Sequence, residues 1–131
     1  MKTTLEILKE ADVLQEGHFL LTSGRHSDKY LQCAKIFKNT KYSETLCKDL
    51  AEQFKDKNID VVVGPAMGAV IMAYEVSRHL GVPNFFTERE NGEMALRRGF
   101  EIKEGQIIGL GIGGIVANGE DINTVAFDVC R

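Results

Sequence analysis

Residues 59–87, IDVVVGPAMGAVIMAYEVSRHLGVPNFFT, decide the fold. The stretch opens with a candidate buried strand, Ile59 to Val63, which is rich in β-branched residues. A turn of small residues follows, then a helical segment that ends at Gly81, then a second strand over Val82 to Thr87. A strand, a helix and a strand within about thirty residues form a βαβ unit, whose strands are parallel and whose crossover is right-handed. The sequence therefore predicts an α/β fold with a parallel sheet flanked by helices.

Further helices and short strands are predicted on both sides of this unit. Thr3 and Glu6 stand at the spacing of a capping box, so a helix is expected to begin there. Helical periodicity extends over Tyr42 to Lys55, and Asn91-Gly92 is a strong hairpin signal. Short strands are also predicted at His18–Leu21, Tyr30–Ala34, Phe100–Lys103 and Gln106–Ile108.

Composition and charge restrict the class of protein. The chain has 131 residues, 44% of them hydrophobic and 27% charged, which fits one folded domain rather than a disordered segment. Its net charge of −3 argues against a broad surface for nucleic acid or for an anionic membrane. The longest uncharged stretch, residues 105–119, is shorter than the ~20 apolar residues of a spanning helix. We also expect no signal peptide at the start of the chain.

The cysteines indicate the redox environment. Cys33, Cys47 and Cys130 are an odd number without metal-ligand spacing. This pattern predicts a cytoplasmic protein with reduced thiols, and no resident metal site is expected.

The turn Gly64-Pro65-Ala66-Met67-Gly68 is the first motif that suits a ligand. Small residues leave backbone N–H groups uncovered, and the N-terminus of the following helix adds partial positive charge. Ligands of open α/β sheets bind at the carboxyl ends of parallel strands, where this turn is expected. The turn is thus a candidate anion site, although a plain strand-to-helix connection explains it equally well.

Two polar segments are the other candidates. In TSGRHSDKY, residues 22–30, Tyr30 could stack on a planar ligand while Arg25 or Lys29 meets its negative charge; the alternative is a solvated loop. In ERENGEMALRRGF, residues 88–100, arginines 89, 97 and 98 are predicted to face each other across a hairpin, as a phosphate-rich substrate requires. The alternative there is an exposed charged hairpin.

A fourth pattern, residues 109–114, matches G-x-G-x-x-G but is a weak candidate. A dinucleotide site needs a following helix, a second strand and an acidic residue about twenty positions on. Asp128 comes too early for that role, so we do not predict a dinucleotide site.

The three motifs, in this order, resemble the orotate phosphoribosyltransferase family over roughly residues 5–107. The segments that carry the resemblance are TSGRHSDKYLQCAK, DVVVGPAMGAV and FFTERENGEMALRRGFEIKEGQ. The family has the type I phosphoribosyltransferase fold, a parallel α/β core with a small N-terminal hood. It transfers ribose 5-phosphate from phosphoribosyl pyrophosphate, accompanied by Mg²⁺, to orotate. The products are orotidine monophosphate and pyrophosphate, in pyrimidine biosynthesis, and the family's mobile loop often closes across a dimer interface.

The resemblance implies a role for each motif. The turn would bind pyrophosphate through the backbone amides of Gly64, Pro65, Ala66, Met67 and Gly68. The hood would bind orotate with Ser23, Arg25, Lys29 and Tyr30. The hairpin would be the mobile loop, and the catalytic residues would be Arg89, Arg97 and Arg98, which neutralise the departing pyrophosphate. The partners implied are the two small-molecule substrates and a second copy of the chain in a homodimer, with no nucleic acid and no membrane.

The last part of the chain departs from the family. The family's ribose-phosphate loop, two acids followed by a Thr-Thr-Gly-Gly-Ser-like turn, should come soon after Gln106, but residues 109–131 read GLGIGGIVANGEDINTVAFDVCR. We predict a single domain over 1–131, with the hood mainly in 1–40, the core and mobile hairpin in 41–108 and a divergent tail in 109–131 that leaves the core incomplete. An impaired transferase is expected. The alternative is a non-catalytic remnant that binds an anion or a pyrimidine, or that pairs with an intact subunit.

Overall fold

A computed structural model describes residues 2–21, 23–32, 34–116 and 120–130. The chain contains both helices and strands, and strict alternation is limited to the segment from α3 to β4. In chain order they are α1 (Thr4–Glu10), β1 (Leu14–Leu20), β2 (His26–Leu31), α2 (Ala34–Lys38), α3 (Thr40–Phe54), a 3₁₀ turn (Lys55–Lys57), β3 (Val61–Pro65), α4 (Val70–Leu80), β4 (Asn84–Glu90), β5 (Glu93–Leu96), β6 (Ile108–Val116) and β7 (Glu120–Cys130).

The predicted βαβ unit is confirmed. β3 pairs with β4 in parallel, with Val63 opposite Phe85, and α4 connects the two strands. The sheet has the order β5-β4-β3-β6-β7, and β6 is also parallel to β3. Gly81 ends α4 in the left-handed conformation, with φ 70°, as its position after Leu80 predicts.

The core lies between the sheet and helices α3 and α4. Val62, Ala73 and Val76 are fully buried there, because apolar residues fill both a central strand and the inner face of α4. Cys47 of α3 belongs to the same cluster, and burial raises the pKa of its thiol to about 12. The Cys47 thiol is therefore protonated at neutral pH and unreactive.

The N-terminal segment forms the predicted hood, but its strands have other bounds than predicted. The capping box of Thr3 and Glu6 is present at the start of α1. β1 and β2 pair as a separate antiparallel hairpin, the hood hairpin, and β2 begins at His26 rather than at Tyr30. The prediction of a strand over Tyr30–Ala34 is thus wrong at its end, since Ala34 begins α2. The polar sequence of β2 hid the strand, because both faces of a two-stranded sheet remain largely exposed.

The residues after the Asn91-Gly92 hairpin also differ in part from expectation. The hairpin itself is confirmed, with both turn residues at positive φ. Phe100–Lys103 is not a strand, and Phe100 instead contacts the rings of Phe85 and Phe86. Residues 109–114 lie within β6, so the glycine pattern is a strand and not the strand-to-helix turn of a dinucleotide site. Across the described segments, no helix is both long and apolar enough to span a membrane.

Candidate anion site at the carboxyl edge of the sheet

The turn after β3 and the arginine hairpin are neighbours at one edge of the sheet. β3 and β4 run in parallel, so both end at this edge, where Pro65 is opposite Thr87. The Ala66 N–H donates a hydrogen bond of 2.8 Å to the Thr87 carbonyl oxygen. The fold therefore places residues 64–68, the phosphate-type turn, directly beside the start of the arginine hairpin, as the sequence order requires.

Only some backbone N–H groups of the turn donate hydrogen bonds within the protein. Ala66 is already bonded to Thr87, and the Ala69 N–H donates to the Pro65 carbonyl oxygen at 3.2 Å. Met67 and Gly68 are exposed, and within the described part of the chain their N–H groups have no acceptor. Free donors for an anion are thus the amides of Met67 and Gly68. Of the five predicted residues, Pro65 has no N–H, and the Ala66 N–H already donates to the neighbouring strand.

The start of α4 favours a negative ligand. No side chain caps this 11-residue helix, and no acidic residue stands in its first turn. The partial positive charge of the helix N-terminus is therefore not neutralised by a carboxylate of its first turn.

Gly64 allows strand and helix to come this close. A Cβ built on Gly64 would lie 2.6 Å from the Ala69 carbonyl oxygen and 2.6 Å from the Ala73 Cβ. Glycine at this position therefore allows the close packing of β3 against the start of α4.

Each arginine of the hairpin is held by a group of the hairpin itself. Arg98 binds both carboxylate oxygens of Glu88, with Nε–Oε2 and Nη2–Oε1 distances of 2.7 and 2.9 Å. Arg97 lies 3.7 Å from the Glu90 carboxylate, and Arg89 donates to the Gly92 carbonyl oxygen at 3.1 Å. Strand alternation places Arg89 on the face opposite Glu88 and Glu90. Each of the three arginines is thus paired within the hairpin, and their joint action on a phosphate-rich substrate stays a prediction.

The Arg98–Glu88 pair changes the pKa of the glutamate and fixes the position of the guanidinium. Hydrogen bonding to Arg98 lowers the pKa of the Glu88 carboxyl below its usual value of 4.5. Arg98 has φ 61°, and its guanidinium carbon lies 5.7 Å from the centroid of the Phe86 ring. The guanidinium is thus oriented by a carboxylate that occupies its paired donors.

The hood residues predicted for orotate all lie in or beside the hood hairpin. The Tyr30 ring is partly buried, with its centroid 5.6 Å from that of Phe19. Lys29 pairs with Asp28 at 3.3 Å, and the Ser23 hydroxyl accepts from the Arg25 N–H at 3.4 Å. Arg25 and Lys29 are exposed, which leaves two cations near the hairpin.

Two histidines without a predicted role also meet in the hood hairpin. His18 Nε2 and His26 Nδ1 are 2.7 Å apart. Sequence reasoning missed this pair because the residues are eight positions apart and become neighbours only through the antiparallel register.

Comparisons with known proteins agree with the fold. The phosphoribosyl transferase domain model matches residues 34–106. A Thermoanaerobacter orotate phosphoribosyltransferase is 55% identical over 121 residues, which cover 92% of this chain and 63% of that protein. The orotate phosphoribosyltransferase of Caldicellulosiruptor saccharolyticus is 56% identical over 78% of this chain and 53% of its own length. The chain thus spans less than two thirds of the length of these curated relatives.

Solved structures support the fold. The Leishmania donovani UMP synthase superposes with a TM-score of 0.69 at 19% identity, over 82% of this chain and 23% of that one. The Aeropyrum pernix orotate phosphoribosyltransferase superposes with a TM-score of 0.54 at 20% identity, over 70% of this chain and 55% of that one. The matched family model covers more than half of the chain and includes the βαβ unit, the phosphate-type turn and the arginine hairpin. The chain belongs to the phosphoribosyl transferase domain family.

Proposed function

We propose that the chain is an orotate phosphoribosyltransferase domain, which joins the ribose 5-phosphate of phosphoribosyl pyrophosphate to N1 of orotate and releases pyrophosphate. The observation that carries the proposal is the uncapped start of α4, where the Met67 and Gly68 amides are free at the carboxyl edge of a parallel sheet. Curated relatives more than half identical to the chain bear the name of this activity.

The turn and the hairpin would divide the work of binding pyrophosphate. The amides of Met67 and Gly68 would donate to its oxygens, and hydrogen bonds to a charged group contribute about 1.5–3 kcal/mol each. Arg89, Arg97 and Arg98 would neutralise the charge that develops as the bond between the ribose carbon and pyrophosphate breaks. Arg98 would first have to leave Glu88, which occupies both of its paired donors.

The hood would bind the base. The Tyr30 ring is partly exposed and could stack on the pyrimidine plane, while Arg25 and Lys29 would meet the orotate carboxylate and Ser23 would offer a hydroxyl. Mg²⁺ would enter as a complex with the pyrophosphoryl donor. Within the described ranges, no group of three His, Cys, Asp or Glu side chains could hold a metal ion by itself. A cytoplasmic location remains our proposal, on the cysteine pattern alone.

A homodimer is also proposed, because α4 carries an uncovered apolar face. Met67, Ile71 and Tyr74 follow helical spacing and are 88%, 59% and 59% exposed. A groove of about 320 Å³ lies between α4 and the start of α3, lined by Ile71 and Tyr74 of this face and also by Phe37, Lys41 and Arg78. A second copy of the chain would bury this face, which begins at the pyrophosphate turn itself.

Ligand binding to the 131-residue chain tests the proposed function. Isothermal calorimetry with orotate, uracil and adenine should show a preference for orotate, because only orotate carries the carboxylate that Arg25 and Lys29 would meet. Amide NMR with pyrophosphate should shift Met67 and Gly68 more than Ala66. Equal binding of the three bases, or shifts centred away from the turn, would contradict the proposal.

A further inference from the structure

We propose that His18 and His26 form a two-imidazole binding site for a divalent transition-metal ion, which bridges the two strands of the hood hairpin. The proposal is independent of the transferase function, which gives neither histidine a role.

The geometry of the two rings is close to that of a shared ion. His18 Nε2 and His26 Nδ1 are 2.7 Å apart, and the ring centroids are 4.8 Å apart with the planes at 47°. An imidazole nitrogen binds Zn²⁺ at about 2.0–2.1 Å, so two nitrogens on one ion lie about 3 Å apart at a right angle and about 3.4 Å apart at the tetrahedral angle of zinc. A wider separation of the two nitrogens, by about 0.3–0.7 Å, together with a rotation of the rings that turns both lone pairs toward one position beside the N–N line, would let an ion replace the hydrogen bond.

The hairpin backbone holds the two rings together. The register of β1 and β2 shifts between Glu16 and Phe19, so His18 lies in this irregular segment. Such irregularities redirect side chains, and here the His18 ring reaches His26, which is opposite Leu20. The turn between the strands is closed by the hydrogen bond from the Leu21 N–H to the Arg25 carbonyl oxygen, of 2.8 Å. The site is therefore preorganised by elements outside it.

The chemistry of the ligands selects the class of ion. Neutral imidazoles suit Cu²⁺, Ni²⁺ and Zn²⁺, whereas Mg²⁺ prefers oxygen ligands. Both histidines are exposed, so water can complete the coordination. No third histidine, cysteine or carboxylate joins the pair among the residues that the structure describes. The site is thus an exchangeable one with two protein ligands, which cross-links β1 to β2 when it is filled.

Calorimetry with Ni²⁺ on the full chain measures the site, with far-UV circular dichroism as the folding control. His18→Ala and His26→Ala should each lose about tenfold or more in affinity, because the second imidazole binds intramolecularly. The double variant should bind more weakly than either single one, because each single variant still offers one imidazole of the pair. His79→Ala removes the third histidine of the chain and should leave the affinity unchanged. Mg²⁺ should not compete.

NMR of the unmodified chain gives a test that needs no variant. The unpaired electrons of Ni²⁺ should broaden the amide signals of residues around His18 and His26 first. Broadening centred elsewhere, single variants with the parent affinity, or competition by Mg²⁺ at equal concentration would each overturn the proposal.

Discussion

At the scale of the residue, Gly64 is required for the close packing of β3 against the start of α4. Gly64→Ala should lower the free energy of unfolding by about 1–3 kcal/mol, because the added methyl overlaps the backbone of the turn. The clash is with the Ala69 carbonyl oxygen and the Ala73 Cβ, each 2.6 Å from the built Cβ. Urea denaturation measures the change. Gly17→Ala is the matched control, since the nearest atom to its Cβ is 3.5 Å away. An equal effect of the two substitutions would refute the packing argument.

Tyr30 tests the role of the hood at the same scale. Tyr30→Ala should weaken orotate binding by about 1–3 kcal/mol if the ring stacks on the base. Tyr30→Phe keeps the ring and should retain most of the affinity. Because the Tyr30 ring also packs on Phe19, 5.6 Å away, Phe19→Leu controls for a loosened hairpin. Calorimetry with orotate is the measurement, and a dissociation constant that Tyr30→Ala leaves unchanged would show that the ring has only a packing role.

At the scale of the element, Glu88 of the β4–β5 hairpin competes with a bound anion for Arg98. Glu88→Gln should tighten pyrophosphate binding by about fivefold, the effect of removing one like charge close by in water. Glu93→Gln removes the same charge from the same hairpin. Glu93 forms no ion pair with a residue that the structure describes, so this substitution should change binding less. Pyrophosphate calorimetry compares the two variants. A larger gain from Glu93→Gln would show that Arg98 does not meet the anion.

The same pair predicts a dependence on pH. Arg98 lowers the pKa of Glu88 in the folded state, so the pair stabilises the hairpin above the ordinary glutamate value of 4.5. This stabilisation is lost as the pH falls through the lowered pKa. The difference in stability between the parent and Glu88→Gln should therefore narrow below pH 4.5, as thermal unfolding at several pH values would show.

Sequence reasoning succeeded for elements whose signals are local. The β3-α4-β4 unit could be predicted because its strands are β-branched, its helix ends at Gly81 and its connections are short. The start of β2 could not, because HSDKYL has the composition of a turn and becomes a strand only by pairing with β1. The Glu88–Arg98 and His18–His26 contacts were missed for a related reason. Each depends on cross-strand register or on a single backbone angle, which no local pattern encodes.

At the scale of the whole molecule, the exposed face of α4 predicts the oligomeric state. Ile71→Glu should convert a dimer to a monomer, because it places a charge in the apolar face formed with Met67 and Tyr74. Leu5→Glu on α1 is the control, since Leu5 is similarly exposed, at 54%, but lies on another helix. Sedimentation velocity separates the two states. A parent chain that is monomeric at high concentration would contradict the proposed homodimer.

A measurement of turnover tests whether pyrophosphate binding is sufficient for catalysis when the loop that binds the ribose 5-phosphate is missing. The turn after β3 and the hairpin of β4 and β5, which we propose bind pyrophosphate, are both present. The family's ribose-phosphate loop is expected soon after Gln106, but residues 108–116 form the strand β6, and no Thr-Thr-Gly-Gly occurs in the sequence. Four lost hydrogen bonds to that phosphate would cost at least ~6 kcal/mol.

The 131-residue chain should therefore bind pyrophosphate and yet transfer ribose phosphate very slowly. Energy from the non-reacting phosphate positions the reacting carbon, so its loss lowers turnover as well as affinity. The change in ultraviolet absorbance of orotate with donor and Mg²⁺ measures the rate, and Arg98→Gln gives the background expected when the pyrophosphate half is also weakened. Robust turnover by the purified chain, free of any longer form, would show that residues 109–131 replace the missing loop by contacts that their sequence does not reveal.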